Sequence, residues 1–247
     1  MASHPIYQMY AELCDYRPKM WRRFQTMDHI TMARLGYILM TLFEMKASHL
    51  FCFDVPTAEN FRRHLYKRMD KEKADSLVDS LELEDQHIEL IDEEDPPEWE
   101  GRLTDAAEAK LRQVLAEPGD AATFTYDFGD NWEISVTLEK IIEDEALPGK
   151  ELPRVLEGAG YGIVEDCGGS GGLEEIAAAF SIRQGGRYEE YCEWLGITEL
   201  NLDGFDLDDM NFRLKKVPRI YTDIYEYRLP PTKQSLDLLE RKYKRKK

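Results

Sequence analysis

The clearest alternation of apolar and polar positions lies in the middle of the chain. Phe124, Tyr126 and Phe128 alternate with Thr123, Thr125 and Asp127. After Gly129-Asp130-Asn131, Trp132, Ile134, Val136 and Leu138 alternate with Glu133, Ser135, Thr137 and Glu139. Two period-two runs around a short Gly-containing loop predict a β-hairpin at about 121–142, apolar on one face and polar on the other. Over 31–45, Met32, Leu35, Leu39, Leu42 and Phe43 recur at the spacing of one helix face. Tyr37, Ile38 and Met40 make the other face apolar too, which predicts a deeply buried helix. Trp132 is expected against that helix, with Phe124 and Tyr126.

Elsewhere the pattern predicts extended segments over 6–14, 21–24 and 49–53. Helices are expected over 60–69, 173–180, 188–195 and 207–214. The run Asp105-Ala-Ala-Glu108 has the form of a capping box, so a further helix carrying Leu111, Val114 and Leu115 should start there. Helices mixed with antiparallel hairpins, without regular strand–helix–strand alternation, predict an α+β fold: an antiparallel sheet packed against several helices. The division expected is a single domain over 1–215 with an acidic insertion at about 70–100, then a C-terminal extension over 216–247.

Charge sharpens this picture. The chain of 247 residues has a formal charge of −17, which argues against a generic basic groove for duplex nucleic acid. Residues 70–110 hold sixteen acids and four bases, and 241–247 hold six bases. The acidic stretch reads as a solvated face, irregular or helical, and the basic tail as a disordered end. Cys14, Cys52, Cys167 and Cys192 form no CxxC pair and read as reduced thiols, which places the chain in the cytoplasm. No secretory leader and no apolar run of membrane-spanning length is expected.

Two acidic pairs, Asp127/Asp130 and Glu165/Asp166, are the candidate polar site, with Cys167 beside them. If their loops met, four carboxylates could hold a divalent cation for a hydrolase or phosphoryl-transfer reaction. The simpler expectation is that Asp127 and Asp130 cap the turn, and that Asp166 satisfies the amides of Gly168 and Gly169. Cys167, flanked by acids, reads as an inert small side chain. Gly168-Gly-Ser-Gly-Gly172 lacks the Lys and Thr of a phosphate-binding loop. His49 and Cys52 have one possible ligand spacing but no second pair to complete a zinc site. Candidate nucleic-acid contacts are Arg22 and Arg23 beside Trp21, and Arg241, Lys242, Lys244 and Arg245 in the tail. With no complete catalytic constellation, the leading expectation is an accessory module that binds a protein partner.

Several stretches together carry a family resemblance. Tyr126-Asp127-Phe128-Gly129-Asp130-Asn131-Trp132-Glu133 followed by Leu138-Glu139-Lys140-Ile141 resembles the plasmid pRiA4b ORF-3-like family. So do Pro18-Lys-Met-Trp21-Arg22-Arg23, Glu165-Asp166-Cys167-Gly168-Gly169 and Phe205-Asp206-Leu207, in the same order. The resemblance implies one α+β domain, often encoded on plasmids, mobile elements or bacterial chromosomes, and supplies no catalytic residues. Ile134 stands where His is frequent in the family, so a mechanism using that His is not expected here.

Overall fold

The computed structural model describes residues 4–92, 94, 97, 99–143, 147 and 149–243. Eight strands form one sheet: β1 (Ile6–Leu13), β2 (Trp21–Met27), β3 (Phe51–Val55), β4 (Gln86–Glu89), β5 (Arg102–Asp105), β6 (Ala121–Tyr126), β7 (Trp132–Ile142) and β8 (Arg154–Ala159). Their order across the sheet is β5-β4-β3-β6-β7-β1-β2-β8. Neighbours run antiparallel except β4 and β5, which are parallel. With helices throughout, the fold is α+β.

The hairpin forms as its alternation predicts. Ala122 faces Val136, Phe124 faces Ile134 and Tyr126 faces Trp132, and all six side chains are buried. Phe128 departs from the pattern and is 51% exposed. Asp127 takes a left-handed backbone (φ 59°), which breaks the strand's up–down alternation and turns the next side chain outward.

The buried helix is α1 (Met32–Leu42), in which every residue except Arg34 is inaccessible or nearly so. Thr31 accepts a hydrogen bond from the Arg34 N–H and so caps its start. Gly36 lets the helix approach the sheet, since a Cβ there would lie 2.7 Å from the Phe51 ring. Then follow α2 (Thr57–Tyr66), α3 (Lys71–Ser80) and α4 (Leu111–Val114), and later α5 (Gly169–Ile182), α6 (Gly186–Leu195), α7 (Leu207–Leu214), α8 (Val217–Tyr225) and α9 (Lys233–Leu239). α8 packs on α1 and buries Tyr221 fully, so Val217, Ile220, Tyr221 and Leu239 belong to the same core as the sheet. α2 and α3 close a smaller cluster of Leu65, Ala74 and Val78.

Two expectations are corrected. The Asp105 pattern does not open a helix: Asp105 ends β5, and its carboxylate accepts from the Ala107 N–H at 2.8 Å, forming a local turn. The acidic stretch contains not only the exposed helix α3 but also the strand β4, which lies between β3 and the edge strand β5 and whose polar residues His87 and Glu89 are buried.

Candidate metal centre

Three chain segments meet at one end of the sheet. His49 precedes β3, Asp127 follows β6, and Glu165 and Asp166 lie in the loop before α5. The Asp127 N–H donates to the Leu50 carbonyl at 3.0 Å, which extends the β3–β6 pairing and sets His49 beside Asp127. The loop before α5 is drawn to the hairpin tip by Asp130, whose carboxylate accepts from the Gly168 N–H at 3.1 Å. Gly169 (φ 72°) permits the approach, because a Cβ there would lie 2.6 Å from the Asp130 carbonyl oxygen.

The His49 ring stands at the centre of the convergence. Its Nε2 lies 3.4 Å from Asp127 Oδ2, 3.5 Å from Glu165 Oε2 and 3.4 Å from Asp166 Oδ1. The donor atoms of His49, Asp127 and Asp166 all lie within 4.8 Å of one another. Both His49 Nε2 and Glu165 Oε2 are buried and make no hydrogen bond. Leaving such groups unpartnered is costly, so the arrangement calls for a further partner.

The surrounding groups hold the other oxygens in place. Glu165 Oε1 accepts from the Lys46 N–H at 2.6 Å and from the Tyr126 hydroxyl at 2.9 Å, which leaves Oε2 turned toward His49. Asp127 Oδ1 accepts from the Gly129 N–H at 3.0 Å, leaving Oδ2 for the cluster. Outer-shell bonds of this type orient metal ligands. Burial pushes the Glu165 carboxyl above the usual glutamate range, against the opposing pull of the Lys46 N–H and Tyr126 hydrogen bonds. Burial, aided by the charges of Asp130 and Asp166, pushes the Cys167 thiol up to about 12, which removes it as a thiolate nucleophile.

A tetrahedral zinc ion with bonds of 2.0–2.1 Å has ligand–ligand edges of about 3.3–3.4 Å, close to the three measured spans around Nε2. Asp166, with 72% of its side chain exposed, can adjust toward its neighbours, whereas Glu165 meets the trio of His49, Asp127 and Asp166 through its 3.5 Å approach to His49. Two other groups have metal-ligand composition among the described residues: Cys52, Asp54 and His87, and His4, Asp28 and His29. His87 contacts Asp54 through Nδ1 at 2.7 Å and Glu89 through Nε2 at 3.3 Å, under the stacked ring of Trp99. Asp28 draws in the half-exposed His29 and His4 at 3.3 and 3.9 Å.

Asp127, Glu165 and Asp166 thus come together, but Asp130 serves the Gly168 amide in place of Asp166 and stays outside the cluster. His49 takes the fourth place. The sequence signal for it was the lone His before a strand, and its acidic partners are too distant along the chain for any local spacing to reveal.

The arginines expected at nucleic acid are engaged within the molecule. Arg22 is fully buried and donates to the carbonyls of Trp21, Leu42, Ala159, Gly160 and Tyr161. Its guanidinium lies 4.3 Å from the centre of the Phe205 ring. Arg23 pairs with Glu139 and Glu157. Arg241 is not part of a free tail: it inserts between Glu44 and Asp209. Lys242 pairs with Glu240, and Lys244 and Arg245 lie outside the described residues. No helix among the described residues is long and apolar enough to cross a membrane.

Known proteins place this architecture. A crystal structure of a protein of unknown function from Methanosarcina mazei Go1, MM3350, shares the fold, with a TM-score of 0.62 at 23% identity over 83% of this chain and 97% of that one. The uncharacterized protein y4hQ of Sinorhizobium fredii is 30% identical over 115 residues, 46% of this chain; the match spans 58% of that relative's length. A family model described as plasmid pRiA4b ORF-3-like protein matches residues 5–213, which include the hairpin tip and the loop before α5. The chain belongs to the plasmid pRiA4b ORF-3-like family.

Proposed function

We propose that His49, Asp127, Glu165 and Asp166 hold one divalent cation of the zinc type, and that the bound cation activates water for hydrolysis. The observation that carries this reading is the pair of buried, unpartnered atoms, His49 Nε2 and Glu165 Oε2, facing one another at 3.5 Å. An imidazole nitrogen among carboxylates favours a d-block cation over magnesium or calcium, which take oxygen ligands. The exposed Asp166 side leaves room for water, and zinc lowers the pKa of bound water to about 7.

Zinc binding is measurable through stability. At a free zinc concentration of 100 Kd, linkage contributes about 2.7 kcal/mol, or a rise in melting temperature of roughly 5–10 °C for a chain of this size. His49→Ala and Asp166→Asn should each remove most of that rise. Without metal, the raised Glu165 carboxyl binds its proton more tightly folded than unfolded. Its contribution therefore falls as pH rises from the usual glutamate range through the folded value, and zinc should stabilise most above that window. An unchanged melting temperature, or an equal rise in His49→Ala, sinks the reading.

A second reading, an accessory module for a protein partner, is supported by a different feature. α6 buries none of its residues, and Ile182 at the end of α5 is 61% exposed. It takes precedence if zinc has no effect.

A further inference from the structure

Next to the cluster lies a groove of about 600 Å³, within the usual range for a small-molecule site. Glu165 and Asp166 form part of one wall. Ile163, Trp194, Ile197 and Leu200 supply apolar surface, with Trp194 48% and Ile197 38% exposed. Most of the other charged groups in the lining are internally matched. Glu44 is held by Arg213 and Arg241, and Glu240 by Lys242. Lys46 differs, since its exposed ammonium acts on Glu165 and Glu240 only through its charge, without a short side-chain contact among the described residues. Its own backbone N–H is the donor that fixes Glu165, so this cation is tied to the edge of the cluster.

Without a metal, the lining of the groove carries one excess negative charge; a divalent cation on Glu165 and Asp166 turns this into one excess positive charge. We propose that this groove binds a small organic anion, a phosphate monoester or the carboxylate left by hydrolysis of an acyl bond, on a ring-sized apolar body, as the substrate or product class of the cation site. The head bridges the cation and Lys46, and the body lies on Trp194, Ile197 and Leu200. Such a ligand needs opposing charge for its head and accessible apolar surface for its body, and both occur together here. This inference rests on the cation reading.

Two calorimetric titrations separate the claims. Zinc is titrated first into the full chain and into Lys46→Met and Trp194→Ala; all three should bind it alike. Phenyl phosphate and benzoate are then titrated into the zinc-loaded proteins, with benzyl alcohol and inorganic phosphate as probes lacking the head or the body. One or both aromatic anions should bind the zinc-loaded chain, and which one binds identifies the head. Lys46→Met and Trp194→Ala should each weaken that binding about tenfold, and the metal-free chain should bind neither. Zinc uptake with no anion binding, or with binding unchanged in Lys46→Met, overturns the groove proposal and leaves the cation site standing. Absence of zinc uptake overturns both.

Discussion

Trp132→Ala should lower the stability of the folded chain by about 3–5 kcal/mol, measured by denaturant unfolding. Trp132 is 1% exposed and sits opposite Tyr126 on the buried face of the hairpin, in the core shared with α1. Its removal leaves a cavity that a hydrogen-bonded sheet cannot collapse to fill. The indole N–H has no hydrogen-bond partner, so Trp132→Phe removes a buried polar group along with part of the volume. The phenylalanine variant should therefore cost clearly less than the alanine one. Equal costs would show that volume is not what Trp132 contributes.

Glu44→Gln should be as damaging, at about 3–5 kcal/mol, because it breaks a buried ion network from its centre. Only 5% of the Glu44 side chain is exposed, and it faces Arg213, itself 1% exposed, as well as Arg241. Without the carboxylate, Arg213 keeps a buried charge with no anion against it, the Leu238 carbonyl and the Tyr243 side chain as neutral contacts, and an Nε that already lacks a partner. Arg241→Met should cost less, since Glu44 keeps Arg213. A Glu44→Gln variant as stable as the parent by thermal unfolding would mean that the network is solvated and that the C-terminal segment is not anchored through it.

The elements legible in the sequence are those whose burial follows one period. The hairpin shows period two on both strands, and α1 is apolar on both faces because it is covered on both. β4 was not legible: Gln-His-Ile-Glu has a single apolar residue, and its burial goes with the hydrogen bond of His87 to Asp54 on the neighbouring strand. The start of α5 inside the glycine run was hidden for another reason. Glycine disfavours helix, and only the contact with the hairpin tip selects it there. At the site, the acidic pairs could be read as pairs, since each is local. His49 could not, because a sheet register brings it to Asp127 and a loop-to-hairpin contact brings Glu165 and Asp166 to it. The arginines misled for the same reason: a buried arginine satisfied by carbonyls, such as Arg22, looks in sequence like an exposed one.

The most direct test of the cation site is the zinc K-edge absorption spectrum of the full chain loaded with one equivalent of zinc. One imidazole and carboxylate or water oxygens at about 2.0–2.1 Å are expected, with the imidazole signature lost in His49→Ala. A zinc–sulfur shell at about 2.3 Å would place the metal at Cys52 or Cys167 instead. That result, or no zinc retained at all, would contradict the account.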